Sequence, residues 1–121
     1  MTRVPKYAIK RGAVGAVITE VMRDVEGKPI PLGGKRVTLA ATRSRPSQQP
    51  GEKPALSDVE CRQDPNQFQN AGRVSYAFDE KTANIPAGIY NLEYKIQNED
   101  GSVVYFPAGG YAKLTVLESL S

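Results

Sequence analysis

Residues 87–118, AGIYNLEYKIQNEDGSVVYFPAGGYAKLTVLE, decide the fold, because they read as two strands joined by a tight turn and then a third strand. Tyr90, Leu92, Tyr94 and Ile96 alternate with Asn91, Glu93, Lys95 and Gln97. That period of two is what a strand shows when one face is buried and the other is wet. Asp100-Gly101 then predicts a two-residue hairpin turn, since this dipeptide accepts the positive φ angles such a turn requires. Residues 103–106 supply the partner strand, Pro107-Ala108-Gly109-Gly110 ends it, and residues 111–118 form the last strand.

Working outward, the chain of 121 residues has room for one domain and one core. No window approaches the roughly 20 apolar residues of a membrane span, and the basic start MTRVPKYAIKRG lacks the apolar segment of a secretory signal. The expectation is a soluble protein made in a cytoplasm. Cys61 is the single cysteine, which excludes an internal disulfide, and it reads as a small buried hydrophobe. Histidine is missing, which removes the commonest general base and metal ligand and every triad built on it. Charge is uneven: residues 1–53 carry eleven Lys and Arg against four Asp and Glu, net +7, and residues 54–121 carry five against nine, net −4. Copies could meet positive to negative, or the basic part could meet an acidic partner. The basic residues are scattered with little aromatic interleaving, so nucleic acid is not the expected partner, and neither is a membrane.

In order, residues 1–12 are polar and basic around Tyr7-Ala8-Ile9, and two uses stay open for them: a short edge strand, or an arm that pairs with another molecule. Residues 13–121 form a single domain. Within it, residues 14–22 and 35–43 read as strands joined by the turn-rich 24–31. Residues 44–54, SRPSQQPGEKP, hold three prolines and no large apolar residue, so they are expected to project as a loop ordered mainly by a partner. Residues 56–62 form a short strand, and residues 63–72 a second polar loop whose lone Phe68 is expected to tuck onto the core. Residues 72–78 alternate again through Val74, Tyr76 and Phe78. Seven or eight short strands without an amphipathic helix predict an all-β antiparallel sandwich.

No chemical motif survives inspection. Gly33-Gly34-Lys35 lacks the spacing of a phosphate loop, and the pairs Asp79-Glu80 and Glu99-Asp100 sit at turns, where carboxylates are common. The expectation is therefore a non-enzyme without metal or cofactor.

Gly88-x-Tyr90, opening a strand, resembles the tyrosine corner of immunoglobulin-like sandwiches, while a core tyrosine without a special bond is the alternative. The order of segments also carries a resemblance. Lys10-Arg11-Gly12, Asp24 with Gly27-Lys28-Pro29-Ile30-Pro31-Leu32-Gly33, Gly72-Arg73-Val74-Ser75-Tyr76, Ala87-Gly88-Ile89-Tyr90, Asp100-Gly101 and Phe106-Pro107-Ala108-Gly109-Gly110-Tyr111 together resemble the immunoglobulin-like domain at the N-terminus of upper baseplate proteins in tailed phages. This resemblance implies a virion component, made in the bacterial host cytoplasm. Such a module assembles or decorates tail, baseplate or capsid by docking to other virion proteins and to copies of itself. The expected contacts are Arg3, Lys6, Tyr7, Ile9, Lys10 and Arg11 in the arm, with Arg45, Gln48 and Gln49 in the long loop. The competing expectation is a module binding carbohydrate or protein on a host surface through loops at one end.

Overall fold

The computed structural model describes residues 4–44 and 54–120. Its strands are β1 (Lys6–Lys10), β2 (Val17–Val21), β3 (Arg36–Arg43), β4 (Leu56–Glu60), β5 (Arg62–Gln63), β6 (Arg73–Ala77), β7 (Gly88–Gln97), β8 (Val103–Phe106) and β9 (Ala112–Leu117). A single 3-10 turn, Thr82–Asn84, precedes β7, and there is no α-helix among the described residues.

Strand β7 is the hub. On one edge it pairs antiparallel with β3 from Tyr90↔Arg43 to Gln97↔Arg36. On the other it takes two strands in succession, β9 against Gly88 to Leu92 and β8 against Tyr94 to Gln97. Leu92 pairs with Ala112 and Tyr94 with Phe106, so residues 107–111 leave the ladder opposite Glu93 alone. With β4 beside β3 and β1 beside β9, the large sheet runs β1-β9-β7-β3-β4, and β2-β6-β5 form the small one. Both sheets feed one core. Tyr90, Leu92, Tyr94, Ile96, Leu39, Leu114 and Val116 enter it from the large sheet, and Ile18, Val74 and Tyr76 from the small one. Phe78 meets Tyr76 edge-on at 5.1 Å.

This order, with a hub strand flanked by a hairpin partner and a long antiparallel neighbour and a second sheet opposite, is that of an immunoglobulin-like sandwich. Gly88-x-Tyr90 forms its tyrosine corner, in which the Tyr90 hydroxyl donates to the carbonyl of Pro86. Arg43 lies 6.0 Å over the same ring and donates from Nη2 to the Ala87 carbonyl at 2.9 Å.

Three details differ from the sequence expectation. Strand β1 runs parallel to β9, so the sandwich is not wholly antiparallel. The expected strand at 56–62 is two strands in different sheets, because the chain crosses over at Cys61, whose amide donates to the Val37 carbonyl at 2.9 Å. The β7–β8 connection, residues 98–102, is closed by Asn98 N donating to Ser102 O at 2.8 Å, which leaves a turn of three residues, 99–101, with Gly101 in the left-handed position at φ 89°. Glycine is needed there because a side chain disfavours that conformation, and a turn followed by such a residue is the usual three-residue hairpin.

Leu92 is fully buried between the two partners of β7. Leu92→Ala is expected to lower the unfolding free energy by about 2–5 kcal/mol, read by urea titration. A loss well under 1 kcal/mol would remove β7 from the centre of the core.

Candidate interaction surfaces

Of the arm residues, Lys6, Tyr7, Ile9 and Lys10 lie in β1, in register with Lys113 to Leu117 of β9, and form the outer strand of the chain's own large sheet. Strand alternation splits them. Lys6 and Lys10 are exposed, whereas Ile9 is buried in the core. Tyr7 Oη donates to Glu20 Oε1 of β2 at 2.6 Å and accepts from Tyr94 Oη of β7 at 3.0 Å. That chain ties the large sheet to the small one along β1. Burial first, and then the neighbouring Tyr94 and Glu20, hold the Tyr7 phenol far above its ordinary value, so it stays a donor. Arg11 follows β1 at an exposed position, its amide donating to Leu117 O at 2.7 Å and its guanidinium 3.6 Å from Glu118. Arg3, Arg45, Gln48 and Gln49 lie outside the described residues.

The structure adds surfaces that the sequence did not single out. Loop 64–72 closes on Gln67, whose Oε1 accepts from Gly72 N at 3.0 Å and Leu32 N at 3.3 Å, while Nε2 donates to Asp64 O at 2.9 Å. Gln67 takes the inward place, and Phe68 beside it is 97% exposed, a correction to the expectation that it tucks onto the core. Gly72 sits at φ 81° with its α-carbon so close to Met22 that an added Cβ would lie 2.6 Å from that carbonyl, which pins this loop against the β2–β3 connection. On the outer face of the large sheet, Ala40, Thr42, Asn91, Glu93 and Tyr111 line a hollow of about 220 Å³. Tyr111 reaches it from the 107–111 excursion opposite Glu93, and partial burial raises the Glu93 carboxyl above its ordinary value. Along β8, Val103, Val104 and Tyr105 are 37%, 44% and 48% exposed. The uncharged run SVVYFP was a signal for this edge that could have been read.

Cys61 is buried where the chain changes sheets, and burial, reinforced by Glu60, pushes its thiol up to about 12. It is a packing residue with almost no thiolate at neutral pH.

These surfaces belong to an immunoglobulin-like sandwich with exposed strand edges. No family model and no curated protein matches the chain. Among solved structures it is similar to CopC from Methylosinus trichosporium OB3b, at 12% identity and a TM-score of 0.49, over 97% of this chain and 88% of that chain. The likeness gives no residue here a role.

Two outcomes follow from the buried groups. Tyr7→Phe removes both hydrogen bonds, leaves Glu20 short of a donor, and is expected to cost about 1–3 kcal/mol in urea unfolding. An unchanged midpoint would show that β1 is not held by this chain of hydroxyls. Cys61 is expected to resist a disulfide reagent at pH 8 in the native protein and to react at once in denaturant, whereas fast native labelling would contradict its burial.

Proposed function

We propose that this chain is a non-enzymatic assembly module of a tailed-phage virion, a small sandwich that joins or decorates parts of the tail, baseplate or capsid. The observation that carries the reading is the construction of β1. Tyr7 and Ile9 fix the strand to the core, so that Lys6 and Lys10 stand on a rigid, basic outer strand of the large sheet. A strand edge offers main-chain hydrogen bonds to a neighbour with little demand on sequence, and fixed charge orients the approach. In this reading the partners are other virion proteins and further copies of the chain, with no part for nucleic acid, membrane or cofactor. The protein passes from the host cytoplasm into the particle. The segments that resemble baseplate domains support the same reading, since several are corners of the sandwich: the Asp24 turn, the tyrosine corner at Tyr90 and the excursion after Phe106.

Mass spectrometry of gradient-purified particles from a phage carrying the gene is expected to find the protein at a fixed ratio to other virion proteins. Lys6→Glu combined with Lys10→Glu is expected to leave the fold within about 0.5 kcal/mol, because both side chains are exposed, and to lower incorporation. Particles that lack the protein would overturn the reading, and normal incorporation of the double variant would remove β1 from it.

A second reading, a host-surface module that binds carbohydrate or protein, is favoured by one feature: Phe68 displayed at the tip of a loop fixed by Gln67. Phe68→Ala would then abolish binding of the pure protein to host cells without moving its melting temperature. Equal binding by both forms counts against it.

A further inference from the structure

We propose that the hollow on the outer face of the large sheet is a binding site for a single sugar ring. The site stands apart from both readings above: it needs neither a particle nor Phe68, and it lies on a sheet face rather than in a loop.

Its shape follows from the pairing of β3 with β7. Asn91 and Glu93 alternate with the buried Tyr90, Leu92 and Tyr94, so they face outward, and they lie opposite Thr42 and Ala40 in register. Ala40 contributes only a methyl group between Thr38 and Thr42, which leaves the floor low in front of Glu93. Tyr111, half-exposed, borders the hollow from the 107–111 excursion. Both strands are interior to the large sheet, so these groups are positioned before a ligand arrives. At about 220 Å³ the space is smaller than the roughly 300 Å³ at which pockets for drug-sized molecules begin, which limits the occupant to about one ring.

The polar groups around the hollow are unspent. Lys113, opposite Asn91 in register, donates from Nζ to Asn91 Oδ1, and to Ser44 Oγ at 3.4 Å. This holds the Asn91 amide and leaves its Nδ2 as a donor. The Glu93 carboxyl and the hydroxyls of Thr42 and Tyr111 have no hydrogen-bond or ionic partner among the described residues. Burial is the sole cause of the rise at the Glu93 carboxyl, and no cation of the chain offsets it.

These groups discriminate by charge. An anion would meet the Glu93 carboxylate, and a cation lodged on Asn91 would meet the Lys113 ammonium. An apolar molecule would strip water from donors and acceptors that it cannot satisfy. A neutral ring carrying several hydroxyl groups accepts from Asn91 Nδ2 and donates to Glu93 at the same time, and its C–H face has the Tyr111 ring to pack on. A saccharide is the ligand class with that combination.

The test is an amide NMR titration of the isotope-labelled full chain with the methyl glycosides of glucose, galactose, mannose and N-acetylglucosamine, carried into the high millimolar range. At least one is expected to give saturable shifts confined to residues 40–42, 91–93 and 111. n-Butylammonium chloride and sodium acetate, the cationic and anionic controls, are expected to give none there. Tyr111→Ala and Glu93→Ala are each expected to weaken binding about tenfold or more without moving the melting temperature, because both side chains face outward. No saturable shift with any glycoside overturns the site, including the case in which another part of the chain fills the hollow. Tighter binding of either ion, or glycoside binding that survives both variants, overturns it as well. Neither the particle experiment nor the Phe68→Ala measurement changes with these outcomes, so the ideas fail separately.

Discussion

The structure depends on one strand having partners along both of its edges. β7 is ten residues long, enough for β3 to follow it on one side while β9 and β8 share the other. Its inward side chains, Tyr90, Leu92, Tyr94 and Ile96, are all buried, and because the side-chain period is two, a slip of one residue would turn all four into water. The tyrosine corner fixes where the strand begins and the three-residue turn fixes where it ends. Between them the register has no freedom, and the positions of β8, β9 and then β1 are set in turn.

The surfaces follow from the same constraint. Because β9 and β8 lie end to end on β7, the chain must leave and rejoin the ladder between them, and this places Tyr111 beside Glu93 over a hollow on the outer face. Among the described residues β1 is in register with β9 and not with β8, so the charged strand and the uncharged one lie on the same side of β7. A non-enzymatic role in assembly fits such a molecule: main-chain edges supply generic affinity, and the charges around them restrict which neighbour can approach.

Much of this was legible in the sequence where periodicity and turn chemistry agree. The alternation of residues 90–97, the turn near Asp100-Gly101 and the Gly88-x-Tyr90 step gave the hub, its hairpin and its corner. Less was legible where tertiary context decides. Nothing local in 56–62 marks Cys61 as the residue at which the chain changes sheets, since both halves are extended and only their partners differ. The parallel pairing of β1 joins residues more than a hundred positions apart and leaves no local pattern. Hydrophobicity alone places Phe68 inside, whereas the hydrogen bonds of Gln67 determine which side chain of that loop turns inward. For residues 1–12 the sequence left an arm and an edge strand equally open, and it is the network Tyr94–Tyr7–Glu20 that makes β1 a strand of its own sheet.

If the molecule meets its partners through edges already folded, β1 belongs to the sandwich before any partner binds. Amide hydrogen exchange on dilute, monomeric protein tests this most directly. The amides linking β1 to β9 are expected to exchange slowly, within the same protected class as those of β7 and β9. Exchange across residues 6–10 at the rate of an unstructured peptide, with β7 still protected, would contradict it and make the segment a free arm.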